Sequence, residues 1–534
     1  MLPEAVKQRV IRWLERNREL VVLVFCLPAS FLFAALLKAR SSLSRLCARH
    51  DHDEAVGEIQ RRVQEWNKLP ARERRLLCTS RPNWLSLSTK FFQKHLHHRV
   101  PVPLYGILDL DESSMLVRVE PMVTVGDITD YLIPKGYSLA VTIELVDATL
   151  GGLALGAGMS THSHKAGLYH ETITSYEVVL SDGTLVTATE DNEHADLFRA
   201  LPCSHGSLGL LIALTLRIVK VKPYVKLTYI PVSGQKEYCN MLRELSGANE
   251  ATPASHTDFL EGTIFSEERA VIMAGDYSEF DPRIRLNHCA KWYKPWFYKH
   301  IESVLSIGAI TELMPLRDYL LRHNRPIFWV LEDVLSFGNE PWFRALFGWL
   351  LPPKPAFLKF TTTRGVREYT FTKQVFQDIV LPIAELESQV RVASGLFDKF
   401  PLLVYPCRII DRGRSTGQLR RPHRRYLVPG TDYAMYNDLG IYGVPGAVKK
   451  GRRYDPVASM RGMERYASQV GGFSFLYADI FMTREEFGQM FDLDLYEEVR
   501  RRYKAEGAFP HLYDKVKPEI DVFAIGDECG TRLT

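Results

Sequence analysis

The sequence contains no C-x-x-C pair. Its 8 cysteines, at positions 26, 47, 78, 203, 239, 289, 407 and 529, are scattered. That spacing excludes a disulfide framework and a paired-thiol zinc site, and it predicts reduced thiols in a protein facing the cytosol. His162-x-His164 offers two imidazoles without a third ligand signal, so no metal is expected. Charge of one sign is also missing. Lys+Arg number 67 and Asp+Glu 63, a net charge of +4, which gives no reason to expect a nucleic-acid partner. There is no internal repeat and no long low-complexity linker. At 534 residues, 46% hydrophobic and 24% charged, the chain has the composition of a folded protein and the length for two or more domains.

One long apolar run stands out, Leu20 to Leu37, broken only by Pro28, Ser30 and small residues. At 1.5 Å per residue it is just long enough for the hydrocarbon core of a bilayer. It is longer than a signal-peptide core and lacks a small-x-small exit. Residues 1–50, with the span 20–37, are therefore expected to be an N-terminal transmembrane anchor contacting membrane lipid. Lys7, Arg9, Arg12, Arg16 and Arg18 precede the run, and Lys38, Arg40, Arg45 and Arg49 follow it. Basic residues on both sides leave the orientation open, and Pro28 permits a kinked or hairpin insertion.

Beyond the anchor, Val56, Ile59, Val63 and Trp66 recur at a helical period, predicting a helix over 53–66. Residues 104–110 and 115–120 read as strands. Residues 125–133 read as a helix with Thr124 as N-cap. Residues 176–187 form a hairpin around Asp182-Gly183. A short helix over 196–201, a glycine turn at 204–209 and a buried strand over 210–219 complete one mixed unit, 51–228. From there the character changes. Strands over 225–231 and 270–274 alternate with helices such as 374–386, around a middle rich in Trp292, Trp296, Trp329, Trp342 and Trp349.

The densest signal is the stretch from Thr149 to Thr161, followed by His162 to Leu168. It carries Gly151, Gly152, Gly156, Gly158 and Gly167 among small and apolar residues. Such a cluster marks left-handed turns or close backbone approach, and its exposed N–H groups suit phosphate oxygens. It is not a Rossmann fingerprint, because Thr161 stands where the third glycine belongs. A plain glycine turn and a nucleotide cradle both fit these residues.

Arg81-Pro-x-Trp84, the stretch from Val117 to Gly126, the glycine stretch and Tyr176-Glu-x-Val-Leu-x-Asp-Gly183 occur in that order. Together they resemble the FAD domain of the vanillyl-alcohol-oxidase (p-cresol methylhydroxylase) flavoproteins. Tyr293-Lys-Pro-Trp-Phe-x-Lys-His300, the run from Leu346 to Lys354, Leu476-Tyr-Ala-Asp479, Arg484-Glu-Glu-Phe487 and Phe509-Pro-x-x-Tyr513 extend the resemblance to the Δ24-sterol reductase family. It implies an α+β fold: a two-subdomain FAD-binding domain (51–228) and an α+β cap that holds substrate (229–534, with a C-terminal segment).

The resemblance also implies the cofactor contacts. They would come from Arg81, Pro82, Trp84, Thr149, Leu150, Gly151, Gly152, Leu153, Ala154, Leu155, Gly156, Ala157, Gly158, Met159, Ser160, Thr161, Ser163, His164 and Lys165. No histidine lies between Arg81 and Ser88, so non-covalent FAD is expected. Ser160, His162, Ala166, Cys203 and Ser207 depart from the residues usual in the family, which gives a catalytically inactive membrane scaffold some foothold. An oxidase or isomerase of another lipid would share the fold.

The activity implied is NADPH-dependent reduction of the C24=C25 side-chain bond of a sterol, as in conversion of desmosterol to cholesterol. The implied setting is the endoplasmic reticulum membrane, with one membrane pass and the catalytic domain facing the cytosol. An isolated alkene has no carbonyl to polarise, so a proton donor is needed. Tyr477, Asp479 and Glu486 are the candidates; Tyr477 and Asp479, two residues apart, would face the same side of a strand. Tyr477 reads equally as a buried core tyrosine, and Glu486 as a solvated helix residue. Arg412, Arg414, Arg420, Arg421, Arg424 and Arg425 form a basic segment, read either as a solvated loop or as a site for lipid head groups or the NADPH 2′-phosphate.

Overall fold

The computed structural model describes residues 17–47, 51–249, 257–413 and 416–524. Lys7, Arg9, Arg12, Arg16, Arg49, Arg414 and Cys529 lie outside the described residues.

The first lobe opens with the helix His52–Lys68, whose N-cap Asp51 accepts a hydrogen bond from the Asp53 amide at 3.0 Å. It buries Val56, Ile59, Val63 and Trp66, the face its periodicity marks. Strands β1 (Leu77–Thr79) and β2 (His98–Val100) pair in parallel. Next come β3 (Ile107–Asp111), β4 (Leu116–Val119), β5 (Tyr137–Leu139), β6 (Ile173–Val179), β7 (Leu185–Thr189) and β8 (Leu210–Lys220). They form one sheet in the order β3-β4-β8-β6-β7, with β5 also on β8. Thr124 caps the helix Val125–Leu132 in a reciprocal capping box with Asp127, satisfying donors that the first turn leaves orphaned.

The second lobe carries β9 (Tyr224–Ser233), β10 (Phe259–Ser266), β11 (Arg269–Ser278), β12 (Ile310–Pro315), β13 (Val375–Pro382), β14 (Leu402–Ile410), β15 (Tyr433–Gly443) and β16 (Phe473–Ser474). Their order is β12-β9-β11-β10-β14-β15-β13-β16. The chain changes sheets between Lys220 and Tyr224. Its C-terminal part then returns to the first lobe. The Leu77 amide donates to the Ala508 carbonyl at 2.7 Å, and Tyr496 and Arg500 reach Ser207 at 2.8 Å each.

Two local expectations differ from the structure. Residues 374–386 form β13 and a short turn, and the helix Leu386–Phe397 begins only afterwards. β13 is flanked by β15 and β16 and buried on both faces, so it lacks the alternation that distinguishes a strand from a buried helix. Residues 477–479 are a turn, with only Phe473–Ser474 paired to β13. Tyr477 and Asp479 therefore do not share a strand face.

The apolar segment is helical from Arg18 through Cys47, with a π turn over Val22–Cys26. Pro28 has no N–H for a preceding carbonyl. The wider turn absorbs the mismatch, the Leu27 amide bonding to the Val22 carbonyl. Glu19–Ala39, with mean hydropathy 2.7, is long and apolar enough to cross a membrane.

Candidate active site

A cavity of about 1500 Å³ lies between the two lobes. That exceeds the roughly 300–1,000 Å³ of an ordinary small-molecule site, leaving room for more than one ligand.

The first-lobe wall is the glycine stretch. Its opening half is not a loop but the helix Leu150–Gly156. The Gly151 amide donates to the Pro121 carbonyl at 2.9 Å, and a Cβ at Gly151 would collide with the Pro121 ring. Only glycine permits that approach, and tertiary contact holds a helix that Leu-Gly-Gly-Leu would not hold alone. The helix ends at Ala157, whose φ of 75° and ψ of 165° lie where side chains are strained. Such strain persists where the surroundings enforce it, here at the cavity wall.

Thr149, Gly151, Gly152, Leu153, Leu155, Gly156, Ala157, Gly158 and Met159 line the cavity, with Arg81, Pro82 and Trp84. Leu150 and Ala154 face the core. Ser160, Thr161, Ser163, His164 and Lys165 are not at the cavity. Thr161 accepts from the Tyr319 hydroxyl at 3.2 Å and, through its carbonyl, from the Leu260 amide at 2.8 Å. His164 Nε2 meets the Thr257 carbonyl at 2.8 Å, and Lys165 pairs with Asp258 at 2.8 Å. Burial drives the His164 imidazolium down to about 3. This second half of the stretch clasps the second-lobe sheet.

Four cations gather on this wall: Arg81, Lys90, Lys94 and Lys515. Burial depresses all four, Lys90 and Lys94 to about 8 and Lys515 to about 7. Among the described residues none has a carboxylate within ion-pair distance. Arg81 Nη2 is spent on the Leu85 carbonyl at 2.8 Å, while Arg81 Nε and Lys90 Nζ are buried without a partner. Unpaired buried cations are costly, and a dianionic pyrophosphate would relieve them. The wall fits FAD on two counts, a glycine-rich backbone lining the cavity, with Gly151 and Gly152 too close to Pro121 and Thr149 for a Cβ, and orphaned donors facing it.

Carboxyls and phenols supply the second-lobe wall. Asp378 of β13, Asp438 and Tyr442 of β15, and Tyr405 of β14 project from one face of the sheet into the cavity, with Glu144 and Tyr477. Burial pushes Asp378 up to about 6, against the lowering effect of hydrogen bonds from Tyr442 and Tyr477. Asp438 rises well above the usual carboxyl range through burial and the adjacent Asp378. Burial lifts Glu144 to about 7. Carboxyls raised this way keep a protonated fraction closer to neutral pH than an ordinary carboxyl does, and can donate a proton.

Of the three residues expected to supply the proton, only Tyr477 reaches the cavity. Asp479 accepts from Thr89 at 2.7 Å and from Arg367 at 3.1 Å. Glu486 closes a capping box with Thr483 and pairs with Arg461, its carboxyl lowered overall by those bonds although burial opposes it. Both are fixed as structural carboxylates. Sequence reasoning missed Lys90, Lys515, Asp378 and Asp438. The Ser204–Gly209 turn was the one visible hint, since it places His205 on the wall beside Gly206. In the basic segment, Arg412 pairs with Glu171, Arg421 with Asp411 at 2.7 Å, and Arg420 donates to the carbonyls of residues 488, 489 and 491. Arg412 ties the segment to the first lobe, while Arg420 and Arg421 fasten it within the second.

A family model described as an FAD binding domain matches residues 100–189. The Delta(24)-sterol reductase of Homo sapiens is 37% identical over 511 residues, covering 94% of this chain and 93% of that protein. The chain belongs to the Δ24-sterol reductase family. The Arabidopsis thaliana Delta(24)-sterol reductase is 33% identical over 537 residues (96% and 93%). The Caenorhabditis elegans Delta(24)-sterol reductase homolog is 36% identical over 515 residues (93% and 94%). The FAD-domain match contains the whole glycine stretch, 149–168, and the α+β architecture is that of a flavoprotein with a membrane-compatible N-terminal helix.

Proposed function

We propose that this flavin-dependent oxidoreductase reduces the C24=C25 side-chain double bond of a sterol, with NADPH as reductant and non-covalently bound FAD, in sterol biosynthesis. We further assign it to the endoplasmic reticulum membrane with its body facing the cytosol. The observation that carries the reading is a single cavity with an anion cradle on one wall and protonated carboxyls on the other.

Arg81 and Lys90 would hold the FAD pyrophosphate, with the backbone of 149–159 closing around it. The chemistry the cofactor supplies when bound is hydride transfer from NADPH to the alkene. The residues supply the remainder. A proton must arrive at C24 as hydride arrives at C25. Asp378 is the source of that proton, and Tyr477, hydrogen-bonded to it and facing the cavity, delivers it. Burial favours the protonated form of Asp378 between turnovers, against the opposing hydrogen bond from Tyr442. The aromatic faces of Phe328 and Tyr442 on the same cavity stabilise positive charge developing at C25. The balance is alkene + NADPH + H⁺ → saturated side chain + NADP⁺.

Isotope placement tests this. With deuterated NADPH in ordinary water, one deuterium is expected at C25. In heavy water with ordinary NADPH, deuterium is expected at C24, and at C25 only to the extent that the reduced flavin's N–H exchanges with solvent. The reverse pattern, or desmosterol recovered unchanged, would overturn the assignment.

A further inference from the structure

The helix from Glu19 onward touches the body along its whole apolar length. The Ser336 amide donates to Glu19 Oε1 at 2.9 Å. The Lys354 amide donates to Ser30 Oγ at 2.7 Å. Phe31 packs on Trp349 at 5.3 Å, and Phe33 packs on Trp84, Phe357 and Phe360. Leu37 lines the cavity. From Glu19 to Leu37 the helix rises about 27 Å, nearly the full ~30 Å thickness of a bilayer's hydrocarbon core.

A helix crossing the bilayer while docked this way would carry the body into the hydrocarbon. The ion pair of Lys354 with Asp147, at 2.9 Å beside Ser30, would sit near the midplane, where charged groups are costly. The exposed residues suggest a different placement. Leu20, Val24, Phe25, Phe31, Leu32 and Leu36 leave one side of the helix bare. Beside it the body exposes Trp292, Tyr293, Trp342, Leu346, Trp349 and Phe360. Tryptophan and tyrosine rimmed by basic side chains, here Lys291 and Lys294, mark a membrane–water boundary.

We propose that this protein is monotopic: the apolar helix lies in one leaflet, and with the aromatic surface of 292–293 and 342–360 it forms a single membrane-facing plane. Leu37 of the helix and Trp84 beside it line the cavity, so an apolar substrate would enter from the lipid at that plane. The helix Pro355–Phe360 joins the plane to the site, for Lys359 donates to the carbonyls of residues 86, 88 and 90 at 2.7–3.2 Å, bracing the segment that carries Lys90. This placement does not depend on the flavin chemistry.

The test uses the full chain in intact microsomes, with an epitope at each terminus and protease added outside. Both epitopes are expected to share one fate, digested together or protected together, until detergent opens the vesicles. An N-terminal epitope protected while the C-terminal one is digested would show a crossing and overturn the proposal. A second arm places charge on the plane through Trp342→Glu with Leu346→Glu, both exposed, with the thermal midpoint confirming the fold. Alkaline carbonate should release several-fold more of this variant from membranes. Unchanged release, or a change in oligomeric state in its place, would contradict a lipid-facing plane.

Discussion

The Tyr442 hydroxyl donates a hydrogen bond to Asp378 across Gly440, the residue opposite Asp378 in the β13–β15 register. A Cβ at Gly440 would come within 2.6 Å of the Tyr442 hydroxyl oxygen. The missing side chain lets the phenol reach over its own strand to the neighbouring carboxyl. Asp438 stands two residues from Gly440 on the same face, diagonal to Asp378. One glycine thus holds a phenol and two carboxyls in register at the cavity wall.

Asp378→Asn and Tyr477→Phe should each slow sterol reduction by about 10²–10⁴, the range of general acid catalysis. Reduction of the flavin by NADPH, measured by stopped flow, should stay within a few-fold of wild type. Equal loss in both half-reactions would mean that the pair only supports the fold.

The proton donor has a pH signature. Asp378 is raised from an ordinary carboxyl value to about 6, so the acid form needed for donation is lost as pH rises through that value. The sterol half-reaction should fall above pH ~6, and Asp378→Asn should remove that limb of the profile. For the folded state the sign is the same. The native protein binds this proton more tightly than the unfolded chain, so its stabilising contribution is complete below the unfolded pKa and lost as pH rises through about 6.

The cation wall predicts opposite effects on stability and on cofactor binding. Lys90→Met removes an unpaired buried charge, so the flavin-free protein should melt at an equal or higher temperature. Its flavin affinity should drop about 10–100-fold, the worth of one charge-assisted hydrogen bond. In the flavin-free protein, Lys90 at about 8 lies below its unfolded value. Its penalty is therefore full below pH ~8 and fades toward pH ~10, and Lys90→Met should flatten that rise in stability. Calorimetry with and without FAD reads both.

Glu486→Gln and Asp479→Asn should separate structure from chemistry. The first keeps the capping box, which Gln also completes, and loses the partly exposed ion pair with Arg461, so it should cost at most about 1 kcal/mol. The second removes one of the two carboxylates on buried Arg367, Glu519 remaining at 2.6 Å, and should cost more. Neither should alter the isotope placement or the pH profile of the surviving activity, measured on protein that retains flavin.

Much of the first lobe was legible in the sequence. The helix at 52–68, the Thr124 cap and the hairpin at Asp182-Gly183 each rest on local signals, and the glycine density located the cradle. The helix inside that cradle was not legible, because it depends on Gly151 meeting Pro121 from another part of the chain. Asp378 and Asp438 were hidden for a related reason. They lie on separate strands, one within an apolar run without periodicity, and only the pairing of β13 with β15 brings them together. Lys90 is an isolated lysine whose role appears only once its burial and lack of partner are known. Glu486 differs: neither the proton-donor nor the solvated-helix reading used Thr483-x-x-Glu486, a capping signature that the structure fills.

The most direct measurement is an anaerobic absorption spectrum of the detergent-purified protein, taken before NADPH, after NADPH, and after desmosterol. The account predicts flavin bands that NADPH bleaches and desmosterol restores, with the saturated sterol formed in equal amount. Flavin that NADPH reduces but the sterol leaves reduced would contradict the central claim that this cavity couples the two.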